Sequence, residues 1–306
     1  MTPVPPQVKA VVLTHIRPHL AGQVVRSLIG DEGFPASQIV VVVNGSGGLD
    51  DPALEDAVTM LRLDDNLGPA GGFGKGIEEA FKDPVVEWAY LCEDDVGLMS
   101  LPTPRINRLV ERIALVPKAL QPVGAVVAYG SVFQGRTGHT VNLVPEKSSD
   151  IDLDECDLAA WGATLLSRRV VSAGVLPDPE WFFVFEDFDF FCRMRRAGFS
   201  LLVDSEAARV VAPLQKLKLE DRLDAATENG SNGASEPWRA YYLARNYFLL
   251  AHRYGTIRWT IAHLAYSARR LQLAPSNSHR RAILRGLVDG ILGKTGKNPR
   301  YERKPR

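Results

Sequence analysis

Along the first hundred residues, short and almost wholly apolar runs alternate with amphipathic stretches. VKAVVLT (Val8 to Thr14), IVVVVNGSGG (Ile39 to Gly48, ending in an Asn-Gly turn) and VVEWAYLCEDD (Val85 to Asp95) have the length of strands buried on both faces. Between them, His19 to Leu28 and the glycine-rich segment running to Phe81 carry helix-spaced apolar positions, whereas Leu54 to Leu61 is short and ambiguous. This alternation predicts an α/β protein: a largely parallel, Rossmann-like sheet with helices on both faces. In such sheets ligands gather at the carboxyl ends of the strands. Those ends here carry Thr14-His15-Ile16-Arg17, Asn44-Gly45-Ser46 and Glu93-Asp94-Asp95.

Further on, GAVVAYGSVF (Gly124 to Phe133) reads as one strand, ECDLAAWGATLLSRRVV as a short apolar element before a helix, and FSLLVD as a strand. WFFVFEDFDFFCRMRRAG joins an aromatic run and three carboxylates to a basic helix stopped by Gly198. The polar stretch after Lys216, containing TENGSNGASEP, predicts a mobile loop. Helices follow over 238–254, 257–273 and 280–292, and the basic tail KTGKNPRYERKPR reads as disordered. The chain thus divides into a body (1–215), a loop (216–237) and a basic helical region (238–306).

Composition adds an asymmetry. The 306 residues are 45% hydrophobic and carry no net charge, yet the segment from Pro237 onward holds 15 Lys and Arg against 2 Asp and Glu, leaving 21 against 34 before it. The C-terminal region therefore faces something anionic: a membrane surface, nucleic acid or the acidic body itself. Nothing in the motifs calls for nucleic acid; the half-apolar helix from Ile283 to Leu292 favours a membrane leaflet. Three cysteines without CxxC spacing predict free thiols. No apolar run approaches the roughly 20 residues needed to span a bilayer, and no signal region precedes the first strand. A cytoplasmic protein is expected, peripheral on the cytoplasmic face of the membrane, with a homo-oligomer as the other use for the basic helices.

Three motifs carry chemistry. NLGPAGGFGKGIEEA (Asn66 to Ala80) is rich in glycine but spells neither a Walker A loop nor a dinucleotide fingerprint, so it is either an unusual phosphate cradle or a helix packed closely on its neighbours. Glu93-Asp94-Asp95 ends an apolar strand. Adjacent carboxylates near a low-dielectric core repel one another unless they hold a cation, and hard oxygen ligands suit Mg²⁺ or Mn²⁺. Glu186, Asp187 and Asp189 lie among phenylalanines whose packing would raise their pKa values as a general base requires. Pairing with Arg193, Arg195 and Arg196, or a helix N-terminus that favours acids, would account for them equally well.

Taken in order, Thr14-x-x-Arg17, VVVNGSG, NLGPAGGFGKG, LCEDD, AAWGA, FEDFDFFCRMRRAG and YYLARNYFLL resemble the family 2 glycosyltransferases, most of all the bacterial galactofuranosyltransferases and rhamnosyltransferases. The resemblance covers roughly residues 8 to 254. It implies a GT-A fold, a UDP- or dTDP-sugar donor, Mg²⁺ or Mn²⁺, inversion at the anomeric carbon, and a glycan, glycolipid or small-molecule acceptor. Carried across, Thr14, Arg17 and Asn44 line the nucleotide pocket. Asn66 and a Gly71-Gly72 turn hold the nucleoside and diphosphate region, Glu93 or Asp94 faces ribose and sugar, and Asp95 is the expected metal ligand. Trp161 packs near donor sugar or acceptor, Asp187 is the base, Glu186 stands beside it, and Asp189 is a supporting acid. Two departures stand out. Ala212 and Pro213 occupy the place of a metal-binding histidine, and Val43 that of an acid before the Asn-Gly-Ser turn. On the residues alone, glycoside hydrolysis and a nucleotide-binding module without turnover are the alternatives.

Overall fold

The structure, a computed structural model, describes residues 3–94, 101, 104–134, 139–143, 150–211, 236–255 and 257–302. Asp95, Ala212, Pro213 and nearly all of the loop expected over 216–237 lie outside the described residues.

The three apolar runs form β1 (Val8–Thr14), β2 (Ile39–Asn44) and, in the third, β4 (Trp88–Glu93), with the ambiguous segment resolving into α2 (Pro52–Ala57) and β3 (Thr59–Leu63). Later strands are β5 (Val123–Val127), β6 (Gly130–Gln134), β7 (His139–Leu143), β8 (Leu153–Glu155), β9 (Leu158–Ala159), β10 (Thr164–Ser167) and β11 (Ser200–Asp204). The main sheet has the order β3-β2-β1-β4-β10-β5-β11-β8, and β7-β6-β9 form a second, small sheet. The first four strands are mutually parallel, as are β5 and β11; β10 runs antiparallel to both β4 and β5. From β1 the chain first winds outward to β2 and β3, then crosses back to place β4 on the other side of β1. The carboxyl ends of β1 and β4 therefore flank the point where the winding reverses, which is where open α/β sheets form a ligand crevice.

Alternate residues of the central strands enter two cores. Val11, Leu13, Val42 and Leu91 pack on one face; Ala10, Val12, Val41 and Tyr90 pack on the other. Each aliphatic side chain removed from water contributes about 1.5–3 kcal/mol, so a one-residue slip that exchanged the faces would expose much of this surface. Helices α1 (Pro18–Ser27) and α4 (Ile106–Ala114) contribute apolar side chains to the second face, and α3 (Gly68–Ala80) and α6 (Glu186–Arg196) to the first. The short α5 (Arg168–Ser172) follows β10 directly, with Ser167 as its N-cap.

Two expectations require correction. The single strand over Gly124 to Phe133 is two strands, β5 in the main sheet and β6 in the small one. The apolar run is continuous because the chain stays buried through Ala128 while changing sheets. The tail is also ordered as far as the described residues reach: Tyr301 stacks on Tyr241 with ring centroids 4.2 Å apart, Asn298 donates its N–H to the Tyr242 hydroxyl (2.8 Å), and Lys297 pairs with Asp65 (2.6 Å). Basic composition suggested a solvated end, but these aromatic and acidic partners come from distant segments that local composition does not reveal.

The basic region forms α7 (Pro237–Tyr254), α8 (Ile257–Gln272) and α9 (Asn277–Ile291). It is not an independent appendage, since Leu250, Ala251 and Trp259 belong to the main core. Among the described residues it meets the acidic body through ion pairs of Arg253 with Asp178 and Asp189 and of Lys297 with Asp65, and Arg285 and Lys294 pair with Asp289 of α9. Among the described residues no helix is long and apolar enough to cross a membrane. The three cysteines are free, as expected.

Candidate active site

Leu13 and Glu93 are register partners in β1 and β4, so the next residues, Thr14 and Asp94, emerge side by side at the crevice. Thr14 Oγ1 donates to Asp94 Oδ2 (2.9 Å), Arg17 Nε donates to the same oxygen (3.0 Å), and Arg17 Nη2 forms an ion pair with Oδ1. Asp94 is therefore a buried carboxylate, 1% exposed, committed to orienting Thr14 and Arg17. Asn44, at the end of β2, donates to the Gly68 carbonyl (2.9 Å) and accepts from the Leu67 N–H (2.8 Å), pinning the start of α3. Asn66 caps the same turn through the Gly68 N–H (2.9 Å). His15 Nδ1 lies 2.7 Å from the Asn44 carbonyl, which can only accept; this nitrogen carries the proton, leaving Nε2 to accept from Asn66 Nδ2 at 3.4 Å.

These side chains form one side of a pocket of about 310 Å³, the size of a small-molecule site. Phe182, Phe183, Trp238 and Arg239 also line it. Sequence reasoning gave none of the four a role; His15 it placed at the strand end and Phe182 and Phe183 in the aromatic run before the acid cluster, without assigning them to the site. For Trp238 and Arg239 the available signal was the WRAYY stretch that opens the helix after the polar loop. A larger cavity, about 620 Å³, lies against another side of α6 among Phe133, Phe188, Arg195 and Tyr254, and holds none of the expected site residues.

The glycine-rich stretch lines the smaller pocket with its first residues only. Helix α3 already begins at Gly68, so Gly71 and Gly72 are buried helical residues and not a turn. Their absent side chains let the helix lie on the sheet: a Cβ on Gly72 would meet Leu13 and Asn44, and one on Gly76 would meet Val11 and, at 2.8 Å, Val42. Gly68, with φ of 72°, passes close to the Phe182 carbonyl, where a side chain would collide. Close packing is the role the glycines fill, and the helix N-terminus is what the pocket receives.

The second acid cluster opens α6. Phe182, Val184 and Phe185 all have positive φ (49°, 69° and 69°), a costly backbone for bulky residues that tends to concentrate at functional sites. Buried Asn246, from the YYLARN segment of α7, holds the turn through the carbonyls of Trp181, Phe183 and Val184 (2.9, 2.7 and 2.9 Å). The turn delivers Glu186 and Asp187 to the first helical positions. Burial, the neighbouring Asp187 charge and Glu93 push the Glu186 carboxyl well above the usual range. Burial also pushes Asp187 up to about 6, opposed by the Phe188 N–H that it accepts at 2.7 Å. None of the three arginines of α6 neutralises this pair: Arg193 bonds Asp189, Arg195 bonds Asp157 and Glu155, and Arg196 lies over the Tyr254 ring.

Two expected residues have other duties. Asp189, fully buried, accepts from Arg193 Nε (2.7 Å), Arg253 Nη1 (2.7 Å) and the Tyr254 hydroxyl (2.6 Å). It ties α6 to α7. Trp161 is 2% exposed and packs among Phe73, Phe190 and Phe191, so it offers no face to a ligand. Its indole N–H offsets a small part of the rise at Glu186, although neither Nε1 nor Glu186 Oε2 completes a hydrogen bond.

The carboxylate oxygens at the end of β4 are of the kind a hard divalent cation takes, but Asp94 is spent on Arg17. Among the described residues no group of three metal-ligating side chains assembles, so these residues do not by themselves make a cation site.

No protein-family model matches the chain, and no curated protein matches it in sequence. Among solved structures, a crystal structure of GalNAc-T7 with UDP, GalNAc and Mn²⁺ is similar over 65% of this chain, with a TM-score of 0.50 and 13% identity. A crystal structure of A197 from STIV is similar over 64% of this chain and 82% of its own, with a TM-score of 0.35 and 10% identity. This chain spans 42% of the length of the GalNAc-T7 chain. That likeness, together with the mostly parallel sheet flanked by helices and its crevice at the winding reversal, shows a GT-A-like, Rossmann-like fold.

Proposed function

We propose that the chain is an inverting glycosyltransferase that moves a sugar from a nucleoside-diphosphate donor to an acceptor hydroxyl, with Asp187 as general base. The observation that carries this reading is the acid pair at the start of α6, buried Glu186 and half-buried Asp187, whose carboxyls are both pushed up, with Glu93 among the causes at Glu186 and itself lining the pocket at the strand ends. The GT-A-like fold and the UDP held by GalNAc-T7 support the donor class. The order of motifs favours galactofuranose or rhamnose on UDP or dTDP, and a glycan, glycolipid or small molecule as acceptor.

The chemistry asks little of the chain beyond placement and one proton transfer. The acceptor oxygen attacks the anomeric carbon from the face opposite the diphosphate; one C–O bond forms as the bond to the diphosphate breaks, and the hydroxyl proton passes to Asp187. A carboxylate raised toward neutrality is a better proton acceptor than an exposed one. Thr14, Arg17 and the N-terminus of α3 bind and orient the nucleotide. Asp95 is the proposed ligand for Mg²⁺ or Mn²⁺, which when bound offsets the charge of the departing diphosphate. Release of nucleoside diphosphate from a panel of nucleotide sugars, with and without acceptor, tests the reading. Acceptor-dependent release from one donor supports it, and no release from any donor opposes it.

The same reading has the protein act at an anionic membrane face. Ile257, Ile261 and Leu264 on α8 and Leu284, Val288 and Ile291 on α9 are exposed apolar side chains on helices that also carry arginines, a combination suited to a leaflet. Salt-sensitive co-sedimentation with anionic vesicles supports it, and equal recovery in the supernatant with and without such lipid opposes it.

A further inference from the structure

Asn246 lies in the middle of α7 and is fully buried, yet its side chain bonds the turn that opens α6, 62–65 residues earlier in the chain. Resting on the glycosyl-transfer reading above, we propose that Asn246 is a positioning residue for the acid pair: its amide fixes the turn over 181–185 and with it the places of Glu186 and Asp187.

The bonding pattern leaves one orientation for the amide. Carbonyl oxygens only accept and a guanidinium only donates, so the nitrogen faces the carbonyls of Trp181, Phe183 and Val184 (2.9, 2.7 and 2.9 Å) and the oxygen faces Arg245 Nε (2.7 Å). Two N–H bonds thus serve three carbonyls, at least one of them shared. Arg245 is itself held: it is buried, its guanidinium lies 4.8 Å from the Tyr242 ring centroid, and Nη1 donates to the Gly296 carbonyl at 2.6 Å.

The turn needs such a clamp. Phe182, Val184 and Phe185 hold positive φ, which bulky residues keep only when their surroundings over-determine it. Three carbonyls converging on one point repel one another unless a donor stands there, and buried ones are costly to leave unbonded. The Val184 carbonyl belongs to the peptide plane that leads into Phe185, the residue before α6. Holding that plane sets the direction in which the helix leaves the turn, and hence where its first two residues, buried Glu186 and half-buried Asp187, stand. Arg253 and Tyr254 fasten the same helix further along, at Asp189; Asn246 fastens its entrance.

Two variants of the full chain test the inference. Asn246→Asp keeps the volume and the acceptor for Arg245 but replaces the donor with an oxygen that the three carbonyls repel. Asn246→Ser keeps one O–H donor and avoids a buried charge. At saturating donor, turnover should fall by roughly tenfold or more in Asn246→Asp and by less in Asn246→Ser. The acid limb of the turnover profile, which in the wild type follows the Asp187 carboxyl raised to about 6, should move to lower pH as the pair gains solvent. A lower melting temperature with turnover per folded molecule and acid limb unchanged would make Asn246 a structural residue only and overturn the assignment. A second readout needs no activity. Glu186→Gln should stabilise the wild-type background at about pH 8, and the Asn246→Ser background less, because there Glu186 is no longer held in its buried place beside Asp187 and Glu93. An equal effect in both backgrounds overturns the positioning role. If the wild-type protein turns over no nucleotide sugar, the transfer reading falls, while this comparison still decides whether Asn246 places the acid pair.

Discussion

Arg253, near the end of α7, donates Nη1 to Asp189 Oδ1 at 2.7 Å, joining the basic C-terminal region to the helix that bears the acid pair. Asp189 is completely buried and receives two further donors, from Arg193 and Tyr254. A carboxylate so fully engaged is a fastener and not a proton acceptor. Arg253→Ala removes a charge-assisted hydrogen bond to a buried acid, which costs about 1.5–3 kcal/mol of stability, with turnover retained wherever the variant is folded. Urea unfolding beside steady-state kinetics checks this; intact stability with collapsed turnover would return Asp189 to the reacting groups.

Glu186 and Asp187 bind their protons more tightly in the folded chain than in the unfolded one. Below the ordinary carboxylate value of about 4 both states are protonated and the pair is not penalised; as pH rises from there through the raised folded values, stability is lost. Glu186→Gln removes the member of the pair whose carboxyl is raised further. It should be more stable than wild type at pH 8 and show no advantage at pH 4, as denaturant midpoints at about these two pH values will reveal. An equal or lower midpoint at the higher pH would contradict the burial argument.

Gly76 tests the role of the glycine-rich helix. A methyl group there meets Val11 and Val42, which are fixed in the central sheet, and overpacking of this kind costs about 1–3 kcal/mol. Gly76→Ala should lower the thermal midpoint while leaving nucleotide affinity unchanged, because Gly76 is absent from the pocket lining. Loss of affinity at unchanged stability would instead favour a phosphate cradle.

The central strands and the three C-terminal helices were legible because each is a local pattern: continuous apolar runs for β1, β2 and β4, and helical spacing for α7 to α9. That the polar ends of β1, β2 and β4 share one edge was legible for the same reason, since parallel strands bring their carboxyl ends together. Other features depended on distant partners. Nothing near Gly124 says that the chain changes sheets at Ala128, and nothing in a basic tail says that Tyr301 will stack on Tyr241. The family resemblance puts Trp161 near the donor sugar or acceptor, yet Phe73, Phe190 and Phe191 close around it. Arg239 lies far from Glu93 in sequence and reaches the same pocket only because α7 packs back onto the body.

The most direct test of the proposed mechanism compares Asp187→Asn with wild type, with donor binding and turnover measured on the same preparations. The amide keeps the shape and can still accept the Phe188 N–H, but it cannot take the acceptor proton. The expected result is unchanged donor affinity and turnover lower by about 10²-fold or more, the scale of a lost general base. Near-normal turnover in a folded, donor-binding variant would contradict the assignment of Asp187 as the base.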